Sequence, residues 1–347
     1  MSGASKEYLA DWILSNPSAS RLHSKTLNKN SAQLLKTTSR YYICPMSLLV
    51  VGTMAFDAIE TPFGKTDKII GGAATYIGLA ASNLYSNINI VSVVGEDFPQ
   101  DYMQLLKNKS MNLDGVQIKK GEKSFFWSGK YSKNLNERET LITELNVLAD
   151  FDPVIPDHYA ETDYLMLGNL TPAVQMTVLN RLKTKPKLTV LDTMNFWMDI
   201  AWDDLLAVIK KIDVLVINDE EARQLSGEHF LGKAAAKIFT MGPKYLIIKK
   251  GEHGALLLHK DEIFAAPALL LNDVKDPTGA GDSFAGGFIG YLAKTDDLSF
   301  ENMKRAVIYG SACASFCVQE FGTDALLTIT QEALAERINT FRTISSF

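Results

Sequence analysis

Residues 275–288 read Lys275-Asp276-Pro277-Thr278-Gly279-Ala280-Gly281-Asp282-Ser283-Phe284-Ala285-Gly286-Gly287-Phe288, a turn-rich segment that leads into a helix. Asp276-Pro277 cannot continue a preceding helix, because proline restricts the residue before it. Gly279 and Gly281 let the backbone adopt positive φ angles and approach a ligand closely. Apolar residues then recur every fourth position, which predicts one apolar helix face, at Phe284, Phe288 and Leu292.

The start of this predicted helix is suited to binding an anion. Free N–H groups and the helix dipole create positive potential there, which makes Gly279, Ala280 and Gly281 the candidate anion hole. Asp282 stands at the same terminus, where a carboxylate tends to stay ionised and can accept a proton from a neighbouring hydroxyl. The alternative is a purely structural role, in which the glycine-rich loop caps the helix.

Composition and charge exclude several classes of protein. The chain has 347 residues, of which 46% are hydrophobic and 22% charged, as in a soluble globular protein. The net charge of −5 argues against nucleic-acid binding, which needs a basic face. No apolar run reaches the length of a membrane span. Three cysteines (Cys44, Cys313 and Cys317) form neither a disulfide framework nor a paired zinc motif, so we expect a reducing, cytoplasmic location.

Residues 1–45 differ from the rest of the chain. Ser, Asn, Thr and Lys dominate from Ser15 to Ser39, and residues 1–45 contain six basic residues but only two acidic ones. It has no continuous apolar region of the kind a secretory signal needs. We expect a disordered leader outside the folded core; an organelle transit peptide and translation from Met46 are the alternatives.

Strands and helices alternate from Met46 onward. Apolar runs that end in glycine, asparagine or charged residues predict buried strands, at Ser47–Val51, Ile88–Val94, Tyr164–Leu167, Leu188–Leu191, Val214–Ile217, Tyr245–Lys249 and Ala255–Leu258. Amphipathic segments lie between most of them. This alternation predicts βαβ units and a mostly parallel sheet.

Residues 112–146 break the alternation. Their short apolar and polar segments predict β hairpins, and aromatic residues are concentrated there at Phe125, Phe126, Trp127 and Tyr131. One interpretation is a small exposed sheet whose aromatic residues pack on the main body. The other is a lid that covers a substrate or pairs with a second subunit.

Two familiar nucleotide-binding motifs are absent from the sequence. It contains no Gly-x4-Gly-Lys-Ser/Thr, so it is not a P-loop kinase. The first strand is not followed by Gly-x-Gly-x-x-Gly, which weakens an NAD-dependent interpretation.

The full string around Gly279 resembles the C-terminal signature of the ribokinase-like (PfkB) carbohydrate kinases, Asp-Thr-x-Gly-Ala-Gly-Asp-x-Phe, with Pro277 in place of threonine. The resemblance extends over about Met46 to Thr330. It implies an α/β fold: a three-layer sandwich with a mostly parallel central sheet and a small β lid. We therefore expect one kinase domain at 46–347, with lid segments near 58–70 and 112–146.

The resemblance also implies a substrate site near the first strand. Asp57 resembles the aspartate that binds substrate hydroxyls, and Gly71 and Gly72 resemble the diglycine whose backbone approaches the substrate. One position departs from the family, because Tyr76 stands where many members have asparagine. The missing amide removes one expected substrate hydrogen bond and puts ribose or fructose in doubt. The alternative for Asp57 is a turn-capping residue.

On the nucleotide side, Asn218 and Glu221 resemble the Asn-x-x-Glu motif that positions Mg²⁺ and its waters, which suits the preference of magnesium for oxygen ligands. The alternative is an asparagine helix cap followed by acids. Three further residues at a strand end resemble the turn that lies against the nucleotide: Lys249, Gly251 and Gly254. Asp192 and Asn195 resemble the family's Asp-x-x-Asn beside the phosphate path.

Asp276 and Thr278 resemble the loop that binds a monovalent cation in the family, so the resemblance implies a K⁺ site. The implied function is ATP-dependent phosphorylation of a hydroxyl on a sugar or nucleoside, with Asp282 as general base. The alternatives are a non-catalytic sugar- or nucleotide-binding protein on the same fold and an NAD-dependent oxidoreductase. We also expect a homodimer formed through the lid, because the edges of a small sheet need cover.

Overall fold

The computed structural model describes residues 46–135 and 137–346. The predicted leader, residues 1–45, lies outside the described residues. The strands are β1 (Leu48–Val51), β2 (Ala55–Thr61), β3 (Gly64–Lys65), β4 (Ile69–Gly71), β5 (Ile88–Gly95), β6 (Met111–Lys119), β7 (Phe126–Tyr131), β8 (Arg138–Glu144), β9 (Tyr164–Leu167), β10 (Leu188–Asp192), β11 (Val214–Asn218), β12 (Tyr245–Lys249), β13 (Ala255–His259) and β14 (Glu262–Ala266). The helices are α1 (Ala73–Ser82), α2 (Gln100–Asn108), α3 (Pro172–Arg181), α4 (Asn195–Ile200), α5 (Trp202–Ile209), α6 (Asp219–Ser226), α7 (Leu231–Phe239), α8 (Ala280–Thr295), α9 (Phe300–Cys317), α10 (Asp324–Thr328) and α11 (Gln331–Ile344).

A large sheet runs through the centre of the described residues. Nine strands follow the order β14-β13-β12-β11-β10-β9-β1-β5-β6. Neighbouring strands from β12 to β6 are parallel, whereas β13 and β14 extend the sheet antiparallel at one edge. The parallel strands are apolar along most of their length, as expected where helices cover both faces. The predicted mostly parallel sheet is confirmed.

Helices cover the large sheet on both faces, because successive side chains of a strand point in opposite directions. Leu48 and Val50 pack in one apolar core with α1, α8 and α9. Leu49 and Val51 pack in a second core with α3, α5 and α7. These two cores give the predicted three-layer sandwich. None of the helices that the structure describes is both long and apolar enough to cross a membrane.

Helix α8 packs closely against α1 and α9 through glycines. A Cβ atom at Gly286 would lie 2.3 Å from the carbonyl oxygen of Ile77 in α1, and one at Gly287 would lie 2.8 Å from that of Tyr309 in α9. Glycine inside a helix costs roughly 0.5–1 kcal/mol relative to alanine. The close packing that it allows fixes the position of the α8 N-terminus.

A second sheet, called the small sheet below, consists of β2, β3, β4, β7 and β8. Its order is β3-β2-β7-β8, and β4 pairs with β2. β7 and β8 form the antiparallel hairpin predicted from the sequence, and β7 lies parallel to β2.

The predicted lid segment 112–146 begins too early. Met111–Lys119 forms β6, which pairs with β5 at the edge of the large sheet and does not belong to the small sheet. Apolar and polar residues alternate along β6, and this pattern is typical of a half-exposed strand in either sheet. The sequence therefore could not decide which sheet the strand joins.

Candidate active site

The side chains implicated by the sequence gather where three parallel strands end. Asp192, Asn218 and Lys249 are the last residues of β10, β11 and β12, and Asn218 pairs directly with Lys249 in the sheet. Open α/β sheets bind their ligands outside the carboxyl ends of the strands. The N-terminus of α8 lies against the same edge, because a Cβ atom at Gly281 would meet the Lys249 Nζ atom at 2.9 Å.

The turn before α8 exposes backbone donors. Gly279 has a φ of 75° and precedes the first residue of the helix, a conformation that favours glycine. The N–H of Ala280 donates to the carbonyl oxygen of Pro277 at 3.2 Å, and the N–H of Ser283 donates to that of Gly279. Of the described residues, none accepts a hydrogen bond from the N–H of Gly281 or Asp282. These two N–H groups are therefore available to an anion at the helix start.

The Tyr76 ring packs against Gly279 of this turn. A Cβ atom at Gly279 would lie 2.4 Å from the Tyr76 ring, so only glycine lets the turn and the ring pack together. The Tyr76 hydroxyl is buried and makes no hydrogen bond among the described residues. Burial, and then the nearby charge of Asp57, raise its pKa well above the usual value. Tyr76, which stands where many members of the resembled family have asparagine, thus packs against the turn before α8.

Asp282 lies in the first turn of α8 with its Oδ1 atom buried and without a hydrogen-bond partner among the described residues. Burial raises the pKa of its carboxyl to about 7, and the charge of Asp192 adds to the effect. The ammonium of Lys249 opposes the shift. A carboxyl group with a pKa near neutrality can take up a proton during a reaction and release it afterwards.

Lys249 lies close to the α8 turn. Its Nζ atom lies 3.3 Å from Oδ1 of Asp192, and both side chains are largely buried. Burial disfavours the charged ammonium, but the carboxylates of Asp192, Glu221 and Asp282 outweigh it and raise its pKa. Lys249 therefore stays charged beside the free N–H groups of the helix start.

Asn218 and Glu221 form a capping box at the start of α6. The Glu221 N–H donates to Oδ1 of Asn218 at 2.7 Å, and the Asn218 N–H donates to Oε2 of Glu221 at 2.8 Å. The capping interpretation of this motif is confirmed, and it leaves Oε1 of Glu221 outside the box. Burial raises the Glu221 pKa to about 7, which is the behaviour of a carboxylate that lacks enough nearby positive charge.

Asp57 approaches the site from the small sheet. It is 5% exposed on β2, and a Cβ atom at Gly71 would overlap its carboxylate at 1.8 Å. Burial and the charge of Asp276 raise its pKa to about 7, although the Gly72 backbone donates a hydrogen bond to it. The diglycine thus provides the space and the donor that hold Asp57. Its charge also acts on Asp282, which places the two carboxylates in one site.

Asp276 and Thr278 lie in the loop before α8. Asp276 is fully buried; its Oδ1 accepts the Thr278 N–H at 2.8 Å and its Oδ2 accepts the Gly322 N–H at 3.5 Å. Burial raises its pKa. The thiol of Cys317 donates to the Thr278 carbonyl oxygen at 3.5 Å. Cys313 and Cys317 are both buried.

Gly251 and Gly254 form a turn directly after Lys249, with φ angles of 53° and 82°. A Cβ atom at Gly254 would lie 2.0 Å from the Ala266 carbonyl oxygen, whereas one at Gly251 would meet no atom within 4 Å. Gly251 therefore leaves open space beside the strand end.

Arg138 was not predicted from the sequence. It lies on β8, opposite Tyr131 of β7. Burial is the main cause of the raised pKa values of Asp57, Glu221 and Asp282, and the positive charge of Arg138 opposes it at all three. An arginine on an exposed, polar strand carries no pattern that marks it as part of a site, so only the fold reveals its position.

The donor groups are compatible with a hydrated magnesium ion. No group of three or more His, Cys, Asp or Glu side chains that could hold a metal ion occurs in residues 46–135 and 137–346. Magnesium is commonly bound through one or two carboxylates and keeps several waters. Glu221, with one oxygen outside the capping box and too little compensating charge, and neighbouring Asp192 fit this mode of binding.

Comparison with known proteins adds three findings. Residues 46–330 match the family described as pfkB family carbohydrate kinase. The chain is 29% identical over 249 residues to the cytidine kinase of Thermococcus kodakarensis, an alignment that covers 70% of this chain and 87% of that one. The nucleoside kinase of Methanocaldococcus jannaschii, an archaeal member of the ribokinase family, has a similar structure, with a TM-score of 0.69 and 23% identity over 85% of this chain and 99% of that one.

The ribokinase of Arabidopsis thaliana, solved with ribose and ATP, is also similar, with a TM-score of 0.65 and 20% identity over 84% of this chain and 98% of that one. Together, these structural similarities confirm the predicted ribokinase-like fold.

Proposed function

Because the chain belongs to the pfkB family of carbohydrate kinases, we propose that it transfers the γ-phosphoryl group of ATP to a hydroxyl group of a sugar or a nucleoside. One observation carries the proposal: Oδ1 of Asp282 and the N–H groups of Gly281 and Asp282, at the start of α8, have no hydrogen-bond partner among the described residues. Transfer of a phosphoryl group to a hydroxyl requires a proton acceptor beside a site that binds the phosphate anion.

Asp282 acts as the general base. The acceptor hydroxyl lies against its carboxylate and gives up its proton as the acceptor oxygen attacks the γ-phosphorus. The new O–P bond forms while the bond from the γ-phosphorus to the oxygen of the departing ADP breaks. The proton then resides on Asp282, whose pKa of about 7 suits both uptake and later release.

The N–H groups of Gly281 and Asp282 and the ammonium of Lys249 hold the phosphates of ATP. All three are donors at the positive end of α8. Glu221 would hold Mg²⁺ through water, and a bound magnesium ion would neutralise charge on the phosphates and orient them. Gly251 leaves space for the nucleotide beside the end of β12.

Asp57 and the diglycine Gly71-Gly72 hold the acceptor. Asp57 accepts hydrogen bonds from ring hydroxyls, and the absence of a side chain at Gly71 leaves the space that the Asp57 carboxylate occupies. The names of the cytidine kinase and nucleoside kinase relatives support a nucleoside as acceptor. Asp276 and Thr278 would form the loop that holds K⁺, and the buried Asp276 carboxylate would supply the negative charge for that ion.

The experiment is a panel of pentoses, hexoses, sugar phosphates and nucleosides, each assayed for ADP release in the presence of Mg²⁺ and ATP. NAD binding serves as the control for the oxidoreductase alternative. We expect acceptor-dependent ADP release with at least one member. ATP binding without release for any acceptor would favour the non-catalytic alternative and overturn the proposal.

A further inference from the structure

A cavity of about 380 Å³ lies at the edge of the large sheet opposite the candidate active site. It is bounded by the ends of α3 and α5 and by the segment that leads into β10, up to Thr189. The strands β9, β10 and β11 are parallel, so the cavity lies at their amino-terminal ends, whereas Asp192 lies at the carboxyl end of β10. The cavity is therefore separate from the site proposed for the kinase reaction.

The wall of this cavity is strongly basic. Four of its residues are lysines, Lys183, Lys185, Lys210 and Lys211, and none is acidic. Lysines directly after a helix stabilise its C-terminus, which explains Lys210 and Lys211 after α5. The same role does not explain Lys185, which lies four residues beyond the end of α3 and lines the same cavity.

Two carboxylates contact residues of this wall, and each forms an ion pair. The Asp157 carboxylate lies 2.8 Å from Nζ of Lys183. The buried Asp213 carboxylate lies 2.8 Å from Nζ of Lys244, and it also accepts the backbone N–H of Thr189 at 3.1 Å. These pairs leave the charges of the other three lysines of the wall uncompensated.

Lys185, Lys210 and Lys211 are exposed and have no ion-pair partner. Within residues 46–135 and 137–346, no carboxylate oxygen lies within 4 Å of their Nζ atoms, in contrast to Lys183. Nζ of Lys211 donates a hydrogen bond to the uncharged Asn180 side chain at 3.1 Å. Three ammonium groups around one cavity repel one another, and a bound anion removes this repulsion.

The remainder of the wall is largely apolar. Leu179 and Leu182 are half-buried and Pro186 is buried. Small-molecule sites in proteins are typically cavities of roughly 300–1,000 Å³ with apolar walls and a few polar groups that fix the orientation of the ligand. The volume and the lining of this cavity therefore suit a ring that carries an anionic group.

We propose that this cavity, called the lysine pocket below, is a second binding site, which takes a phosphate monoester of a small ring compound. The phosphate lies against Lys185, Lys210 and Lys211, because lysine binds phosphate as a flexible point charge. The ring lies against the apolar part of the wall. Binding is non-covalent and transfers no group. Since the lysine pocket is separate from the active site, both can be occupied at the same time.

The shape and the charge of the chain favour a small anion over a nucleic acid. Nucleic-acid binding needs an extended basic face, whereas these lysines converge on one cavity of a chain whose net charge is −5. Sugar phosphates and nucleoside monophosphates share the proposed chemistry, and the experiment distinguishes them.

Lysine footprinting locates the ligand directly. The full-length protein is acetylated briefly at constant ionic strength, without ATP, in the presence of ribose 5-phosphate or cytidine monophosphate, and each lysine is followed by mass spectrometry. We expect at least one ester to slow the acetylation of Lys185, Lys210 and Lys211 severalfold. Lys233, exposed on α7, is the matched control and should react at an unchanged rate. Ribose and cytidine, which lack the phosphate, should protect none of these lysines.

The double variant Lys185→Gln/Lys210→Gln tests the role of the charges. Its Kd for the protecting ester, obtained from the protection of Lys211, should rise about tenfold or more. Lys233→Gln should keep the wild-type Kd. Both variants should keep the wild-type Tm, because the substituted side chains are exposed.

Several results would overturn the proposal. They are no protection of the three lysines by either ester, equal protection of Lys233, and an unchanged Kd in the double variant. Equal protection by inorganic phosphate, or protection by a single-stranded oligonucleotide alone, would also overturn it. The readout does not depend on whether the chain phosphorylates any acceptor, so failure of the proposed function and failure of this proposal are distinguishable.

Discussion

At the residue scale, Oδ1 of Asp282 is buried and has no hydrogen-bond partner among the described residues. A buried polar atom without a partner destabilises a fold. We therefore expect this oxygen to have a partner during function. The structural alternative, in which Asp282 caps α8, requires its carboxylate to accept a hydrogen bond from a backbone N–H of the helix. No such bond is present among the described residues, and Oδ1 is unpaired, which supports the catalytic interpretation.

Asp282→Asn should abolish turnover. The amide matches the carboxylate in size but cannot accept the hydroxyl proton at neutral pH, so kcat should fall by roughly two to four orders of magnitude. The N–H groups of the turn remain, and ATP affinity should be retained. Kinetics and nucleotide titration on the same variant measure both. A kcat close to that of the wild type would remove Asp282 as the base.

The stability of the same variant should not fall. In the unfolded chain the carboxyl titrates near 3.9, and in the folded protein burial raises its pKa to about 7. The folded state therefore binds the proton more tightly, and its stability decreases as pH rises between these two values. At pH 8 the Tm of Asp282→Asn should equal or exceed that of the wild type, and the gain should disappear near pH 4. A marked loss at pH 8 would instead support the capping role.

The pH dependence of kcat should respond to the two charges beside Asp282. Activity requires the ionised carboxylate, so kcat should rise with pH through about 7. Asp192→Asn removes a charge that raises the Asp282 pKa, and the rise should move to lower pH. Lys249→Gln removes a charge that lowers it, and the rise should move to higher pH. The site contains several coupled carboxyls, so the opposite directions are the test, and shifts in the same direction would contradict the assignment.

Gly279→Ala should destroy the anion-binding turn. The φ of 75° disfavours alanine, and its Cβ would lie 2.4 Å from the Tyr76 ring. We expect a stability loss of about 1–3 kcal/mol and a large drop in activity, measured by denaturant unfolding and steady-state kinetics. Gly227→Ala is the control, because it has a similar φ of 67° but its nearest neighbour, Lys237 Nζ, would lie 3.7 Å away. Equal losses of activity in the two variants would contradict the role of the turn.

At the element scale, β8 is the exposed edge of the small sheet. Its residues are exposed along its whole length, and in the described part of the chain it pairs with β7 alone. Unpaired strand edges that carry apolar side chains tend to pair with another chain, and Leu141 and Ile142 are each 49% exposed. We therefore propose that two copies of the chain associate through this edge.

Ile142→Lys should convert the dimer into a monomer, because it places a charge in the apolar part of the edge. Sedimentation at micromolar concentration measures the state of the wild type and the variant. Ile263→Lys is the matched control. Ile263 is 67% exposed on β14, an edge strand of the large sheet and not of the small sheet. Its substitution should leave the dimer intact. A monomeric wild type, also with substrates present, would contradict the proposal.

The sequence predicts some elements better than others for physical reasons. The buried parallel strands appear as continuous apolar runs, so β9 matches its predicted bounds, and β10 and β11 extend only one residue beyond theirs, to Asp192 and Asn218. The strand β6 was assigned to the wrong sheet, and the short helices α4 and α10 were not predicted. Alternation does not say which sheet a strand joins, and helices of five or six residues have too few turns to show a period.

The candidate site divides in the same way. Asp282 and the glycines before it lie in one contiguous motif, so their proximity could be predicted from the sequence. The ion pair of Lys249 with Asp192 depends on the order of the strands in the large sheet, and the position of Arg138 depends on how β8 pairs with β7. The role of Tyr76 as the support of Gly279 likewise depends on the packing of α1 against α8.

At the scale of the whole molecule, the topology brings distant parts of the chain to one edge of the large sheet. In the proposed reaction, the strand ends of β10, β11 and β12 and the start of α8 bind the phosphates, and the small sheet supplies Asp57. Phosphoryl transfer depends mainly on positioning and charge stabilisation. A site between the edge of the large sheet and the small sheet suits this chemistry, because closure of the small sheet over the site can exclude water.

Tracing the γ-phosphoryl group of ATP tests the central claim most directly. The wild-type protein is incubated with Mg²⁺, γ-labelled ATP and each acceptor of the panel, and the products are separated. The account predicts that the label appears on a hydroxyl of one sugar or nucleoside in a one-to-one ratio with ADP, and that Asp282→Asn forms this product at a strongly reduced rate. Label found only in inorganic phosphate, or equal product formation by Asp282→Asn, would contradict it.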